Sequence, residues 1–187
     1  MPDARNFEPL APESWDSRLD HLKGGFAERL NVYRAMAYHP DLLAAWASLR
    51  HHVVVNNVLG AERTEVIILR ASKHLGSDYE KSHHIVRGRA CGISDERIAA
   101  VLGQSGAVDD RDATLVAAVD ELATGNALSS ATLCHLVRLF DVKGVLDLIA
   151  IVGFYTTLGL MLNSFKTPID RDIVEALDRQ PLNTDLT

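Results

Sequence analysis

The chain has 187 residues, a formal net charge of −6 and a pI near 5.7. A domain of this length buries about 70% of its unfolded surface and needs no disulfide or metal staple. With 47% hydrophobic and 24% charged residues and a mean hydropathy of +0.02, the composition is globular and excludes a disordered chain. The acidic balance, with no clustered Lys and Arg to offset it, speaks against nucleic-acid binding. Two cysteines, Cys91 and Cys134, make neither a disulfide scaffold nor a zinc spacing, which fits a reducing, cytoplasmic setting. Only 6% of residues are aromatic, while Ala and Leu abound, and this favours helix.

Residues 1–25 read as an extended arm punctuated by Pro2, Pro9 and Pro12, with none of the basic-then-apolar pattern of a leader. Residues 26–38 carry apolar side chains at three- and four-residue steps, and His39-Pro40 breaks that helix. Asp41 is placed to cap the next helix, with Leu42, Leu43, Trp46 and Leu49 on one side. After a turn at residues 56–60, residues 61–75 form a helix apolar over most of its circumference, which Gly76 ends. Ser77 opens a helix that Gly92 terminates, and Ser94 opens another. Asp109 or Asp110 caps a segment running to about Ala123. Ser129 or Ser130 opens a helix to Phe140, and Asp141 caps a long apolar helix that Pro168 closes. Residues 145–162 approach membrane length, but Asp147, Gly153, Thr156, Thr157 and Gly159 favour a buried core or interface helix over a span. The expectation is all-α, about eight helices, with no strand pattern and no repeat.

Ionisable groups concentrate between Glu65 and His84. Ser77, Glu80, His84 and Cys91 follow one another at helical steps and share a stripe. A carboxylate four residues before an imidazole can hydrogen-bond it and raise its proton affinity, and His83 lies three residues after Glu80. Glu65 has Ile68, Leu69 and Ser72 on its own side, so partial burial is expected. Ser77-Asp78-Tyr79-Glu80 is also a capping box, a purely structural use of Ser77 and Glu80. Cys91 and Cys134 read as inert core cysteines, and His51-His52 lacks a partner at metal-ligand spacing.

The segment TEVIILRASKHLGSDYEKSHHIVRGRACGISDERIAAV resembles the carboxymuconolactone decarboxylase family, which includes the alkylhydroperoxidase D-like proteins. YRAMAYHPDLLAAWASL is similar to the family's first helical hairpin, DDRDATLVAAVDEL to the helix after the motif, and IVGFYTTLGLMLNSFKTPI to its terminal helix. The likeness covers roughly residues 26–170, leaving the arm at 1–25 and a tail at 171–187. It implies a helical bundle that assembles as trimers or hexamers.

Peroxidase members of the family carry a glutamate, two cysteines three apart, and a histidine four residues after the second. Here Glu65 and His84 match the ends of that motif, while Ser77 and Glu80 stand in the cysteine positions. A serine hydroxyl supplies no redox step, so thiol peroxidase chemistry is disfavoured. The resemblance then implies a cofactor-independent, metal-free lyase or isomerase acting on a carboxylated lactone or related intermediate of aromatic catabolism. In that reading His84 moves protons, Glu80 orients it, Glu65 is a second proton-transfer group and His83 a donor to developing charge. Arg34 is the expected carboxylate clamp, with Ser77 and Tyr79 as substrate contacts. A peroxidase using an unorthodox cysteine and a non-catalytic oligomeric binding protein are the alternatives. The partners expected are a small-molecule substrate and further copies of the chain, with no membrane.

Overall fold

A computed structural model describes residues 7–182, and among them the chain is all-helical with no strand. Nine α-helices run in order: α1 (Phe26–Arg29), α2 (Asn31–Met36), α3 (Pro40–His51), α4 (Ala61–Leu75), α5 (Asp78–Ala90), α6 (Asp95–Leu102), α7 (Asp110–Gly125), α8 (Ser130–Phe165) and α9 (Arg171–Arg179). The central helix is α4, packed on α5, α6, α7 and α8. Its position follows from its sequence: residues 64–69 are all buried, which requires neighbours on every side.

Local signals set the boundaries of the pair that carries the ionisable cluster. Gly76 takes the left-handed conformation that ends α4, at φ 58°, where a side chain would be strained. The Ser77 hydroxyl then accepts from the Glu80 amide and starts α5. This two-residue connection lays α5 back along α4.

The long apolar helix α8 is broken at Asp141, whose φ of 58° and ψ of 173° lie outside the helical region and whose carboxylate accepts from the Val142 amide. Gly144 follows because the bend leaves no room for more: a Cβ there would fall 2.4 Å from that of Phe140. By length and composition α8 is apolar enough to cross a membrane. In this fold its Leu136, Leu148, Ile151, Phe154 and Leu158 are buried in the core.

Several elements differ from expectation. The arm is not extended throughout: 3-10 turns at Pro12–Ser14 and Ser17–Leu22 bury Trp15, Leu19 and Leu22 in the core. The 26–38 helix is two short helices, because Leu30 is extended at φ −117°, ψ 125°. Pro40 occupies the first turn of α3, so His39 supplies the cap through Nδ1 and Asp41 does not. Residues 171–179 of the tail are helical. Cys134 is exposed, since Leu133 and Val137 beside it face outward as well.

Candidate functional site

The reversal at Gly76 brings Glu65 of α4 to the imidazole of His84 on α5. His84 is 2% exposed, with Nδ1 2.5 Å from Glu65 Oε2 and Nε2 3.4 Å from Glu80 Oε2. Burial alone disfavours the imidazolium, but the charge and hydrogen bonds of Glu65 and Glu80 outweigh it, so the His84 pKa lies above its ordinary 6.5. The edge of His84 meets Tyr155 of α8 at a ring separation of 5.0 Å. The Glu80 amide is held by the Ser77 cap, yet its carboxyl Oε1 is buried without a hydrogen-bond partner. An orphaned carboxyl oxygen beside an imidazole is costly to hold for stability alone.

His84, Glu80 and Tyr155 line a cavity of about 20 Å3 together with Leu30, Val32, Tyr33, Tyr79, His83, Arg87 and Leu158, with Glu65 behind His84. That is space for one water molecule. Two of its walls, α5 and α8, are long helices set in the core. The third is α2, six residues long and preceded by the extended Leu30.

A second buried network fastens that third wall. Asp170, at the start of α9, accepts from the Asn31 amide at 3.0 Å, from His83 Nε2 at 2.8 Å and from the Tyr79 hydroxyl. Tyr79 in turn accepts from the Val32 amide at 3.2 Å and stacks on His83 with ring centroids 4.0 Å apart. Although burial works against the Asp170 carboxylate, its hydrogen bonds to His83, Tyr79 and Asn31 hold its pKa below the ordinary value.

The residues picked out from the sequence therefore divide into three groups. Glu65, Glu80 and His84 converge. His83 and Tyr79 line the same cavity, but His83 Nε2 and the Tyr79 hydroxyl are bound to Asp170. Ser77 and Arg34 lie elsewhere. Ser77 caps α5 and lines a separate shallow cleft with Lys73, Asp78 and Gln104. Arg34 donates to the carbonyls of Leu10 and Pro9 and so pins the arm; it opens onto a surface cleft beside Arg171.

The residues that spacing analysis passed over are Arg87 and Asp170. Arg87 lies three residues after His84 and seven after Glu80, on the same stripe, so helical periodicity reveals it. Asp170 lies 87 residues from His83, and nothing local in the sequence joins them. Cys91 ends α5, and burial together with Glu65 and Glu62 pushes its thiol pKa up, the reverse of an activated thiolate. Among the described residues no group of three or more His, Cys, Asp and Glu side chains is placed to hold a metal.

Residues 40–123, from α3 to α7, match the sequence profile of the Carboxymuconolactone decarboxylase family. That match spans a little under half of the chain. It contains Glu65, Glu80, His84 and Arg87. No curated protein sequence matches the chain. Among solved structures, the chain is similar to a cysteine-to-alanine variant of the debrominase Bmp8 in complex with 2,3,4-tribromopyrrole. The TM-score is 0.76 at 19% identity, over 95% of this chain and 99% of that one. Apo Bmp8 gives a TM-score of 0.74 at 18% identity, over 92% and 96%. At such identities the likeness establishes the alkylhydroperoxidase D-like fold and not the chemistry. The family segment points to a catalytic role in transforming small molecules.

Proposed function

We propose that this protein is a cofactor-independent lyase or isomerase that moves a proton on a carboxylated lactone, or a related intermediate of aromatic-ring cleavage. The observation that carries the reading is the buried His84 held between two carboxyl groups, one of which keeps an unpartnered oxygen at the cavity. Double-bond migration needs one group to take a proton and one to give it back, whereas decarboxylation of a carboxylate needs only a donor to the carbon that loses carbon dioxide. Both need stabilisation of the enolate-like charge between. Glu80 Oε1 is the acceptor in this scheme, because no hydrogen bond occupies it. The His84 imidazolium is the donor, with Glu65 fixing its ring through Nδ1 and sustaining its charge.

Substrate of this class exceeds a 20 Å3 cavity, so admission requires a wall to move. The wall that moves is α2, released when the Asn31 and Val32 amides leave Asp170 and Tyr79. The exposed face of α8, where Leu146 is 61% and Leu160 60% exposed, suits a homo-oligomer contact with a second copy. Among the described residues the lining of the His84 cavity contains no cysteine, which favours acid–base over thiol chemistry in this reading.

The test is turnover of a panel of ring-cleavage lactones by the wild type and by His84→Gln, followed by ultraviolet absorbance and by carbon dioxide release. Loss of a positioned proton carrier lowers the rate by about 100-fold or more. Full activity in a folded His84→Gln protein overturns the proposal.

A further inference from the structure

We infer that Arg87 holds the anionic group of the substrate, with the Tyr33 hydroxyl beside it, and that this site therefore selects ligands carrying a free carboxylate next to the bond that reacts. The inference deepens the acid–base reading of the same cavity and rests on it.

Arg87 lies in the cavity wall, on the stripe of α5 that carries Glu80 and His84. Among the described residues its guanidinium makes no ion pair within 4.0 Å and no hydrogen bond. The carboxyl groups around the cavity point elsewhere: Glu65 and the Oε2 of Glu80 approach His84, and Asp170 behind Tyr79 takes His83, Tyr79 and Asn31. Arg87 is thus a partly buried cation that the protein itself leaves without a counter-ion. Its field nevertheless reaches the site. Burial works against its charge, but Tyr155, Glu65, Tyr33 and Glu80 favour it, and the guanidinium pKa is raised.

A second arginine stands behind Tyr33. Arg50 of α3 lies 4.0 Å over the Phe26 ring, and Phe26 packs edge-on against Tyr33 at 4.9 Å. Its Nε is buried without a partner. Arg87 and Tyr33 therefore share the cavity wall, while Arg50 lies outside the cavity over Phe26. Arginine is the residue suited to bidentate recognition of a carboxylate, and burial raises the worth of such a pair. Arg34, the clamp expected from the sequence, is spent on the arm.

The experiment measures binding by calorimetry with two probes, a butenolide acetate and its methyl ester, which differ only in the charge on the carboxyl group. Wild type, Arg87→Met and Arg87→Lys are compared at pH 7, with thermal melts to verify folding. The wild type is expected to bind the acid about 10- to 100-fold more tightly than the ester, the range of one charge-assisted hydrogen-bonded pair. Arg87→Met removes that preference while leaving the ester affinity in place, and Arg87→Lys, which keeps the charge, restores part of it. An unchanged acid-to-ester ratio in Arg87→Met overturns the inference, as does failure of the wild type to bind the acid at millimolar concentration. The lyase reading fails separately. If His84→Gln turns over normally while the acid preference still depends on Arg87, the clamp stands and the proton chemistry does not.

Discussion

Replacing Glu65 with Gln removes a charge from the closer of the two carboxyl contacts to His84 while preserving its shape. The Glu65 carboxylate sits 2.5 Å from His84 Nδ1, with the imidazole 2% exposed. Breaking a buried ion pair from one side costs about 3–5 kcal/mol, and the amide oxygen of Gln still accepts a hydrogen bond, so about 3 kcal/mol is the expected loss. For a chain of this size, about 2–4 °C per kcal/mol converts this to a Tm lowered by roughly 6–12 °C. The larger consequence is for protonation. In the wild type, Glu65 and Glu80 together outweigh the burial that opposes the imidazolium. Without Glu65, burial faces only the looser contact at 3.4 Å, so the His84 pKa falls. A histidine with a raised folded pKa contributes stability fully below its unfolded value, near 6.5, and loses it as pH rises through the folded value. In Glu65→Gln that contribution is smaller and its loss with rising pH is complete at a lower pH. The assay is an NMR titration of histidine-labelled protein, with His84 assigned by its absence in His84→Gln, alongside melts from pH 5 to 9. An unchanged His84 pKa in a folded Glu65→Gln protein refutes the reasoning.

Two further outcomes follow from the contacts. Asp170→Asn weakens the fastening of α2, and exchange of the Asn31 and Val32 amides is expected to quicken by about tenfold, as the loss of a charge-assisted hydrogen bond implies. Hydrogen-exchange mass spectrometry checks this, and unchanged rates count against the latch. Because the Asp170 pKa is lowered, the wild-type latch contributes above the ordinary carboxyl pKa of 3.8 and fails as pH falls below it. Leu146→Glu places a charge on the exposed α8 face. Light scattering is expected to show the wild-type assembly reduced to the 20.5 kDa chain, and equal masses for the two proteins contradict an interface there.

The helices that frame the site were legible because their ends are written locally. Gly76, Ser77, Ser94 and Asp141 each act through their own backbone or the next turn, so their effect is visible within four residues. The convergence of Glu80 and His84 was legible for the same reason, through helical spacing. The extended Leu30 was not, since no proline or glycine marks it; the Asn31 amide bonds to Asp170 across 139 residues. Arg34 and Ser77 illustrate the opposite error. Both residue types suit substrate binding, but the arm carbonyls and the α5 cap claim their hydrogen bonds. Arg87 matters for the partners it lacks, a property that only the packed structure displays.

The central claim is that the His84 cavity receives a carboxylated small molecule for proton transfer, and a crystal structure of the protein soaked with the butenolide acetate addresses it most directly. The account predicts the lactone between Glu80 and His84, its carboxylate on Arg87, and α2 drawn away from Asp170. Ligand found instead only in the 350 Å3 apolar groove between α4, α7 and α8, with His84 still sealed behind Leu30 and Tyr33, would contradict it.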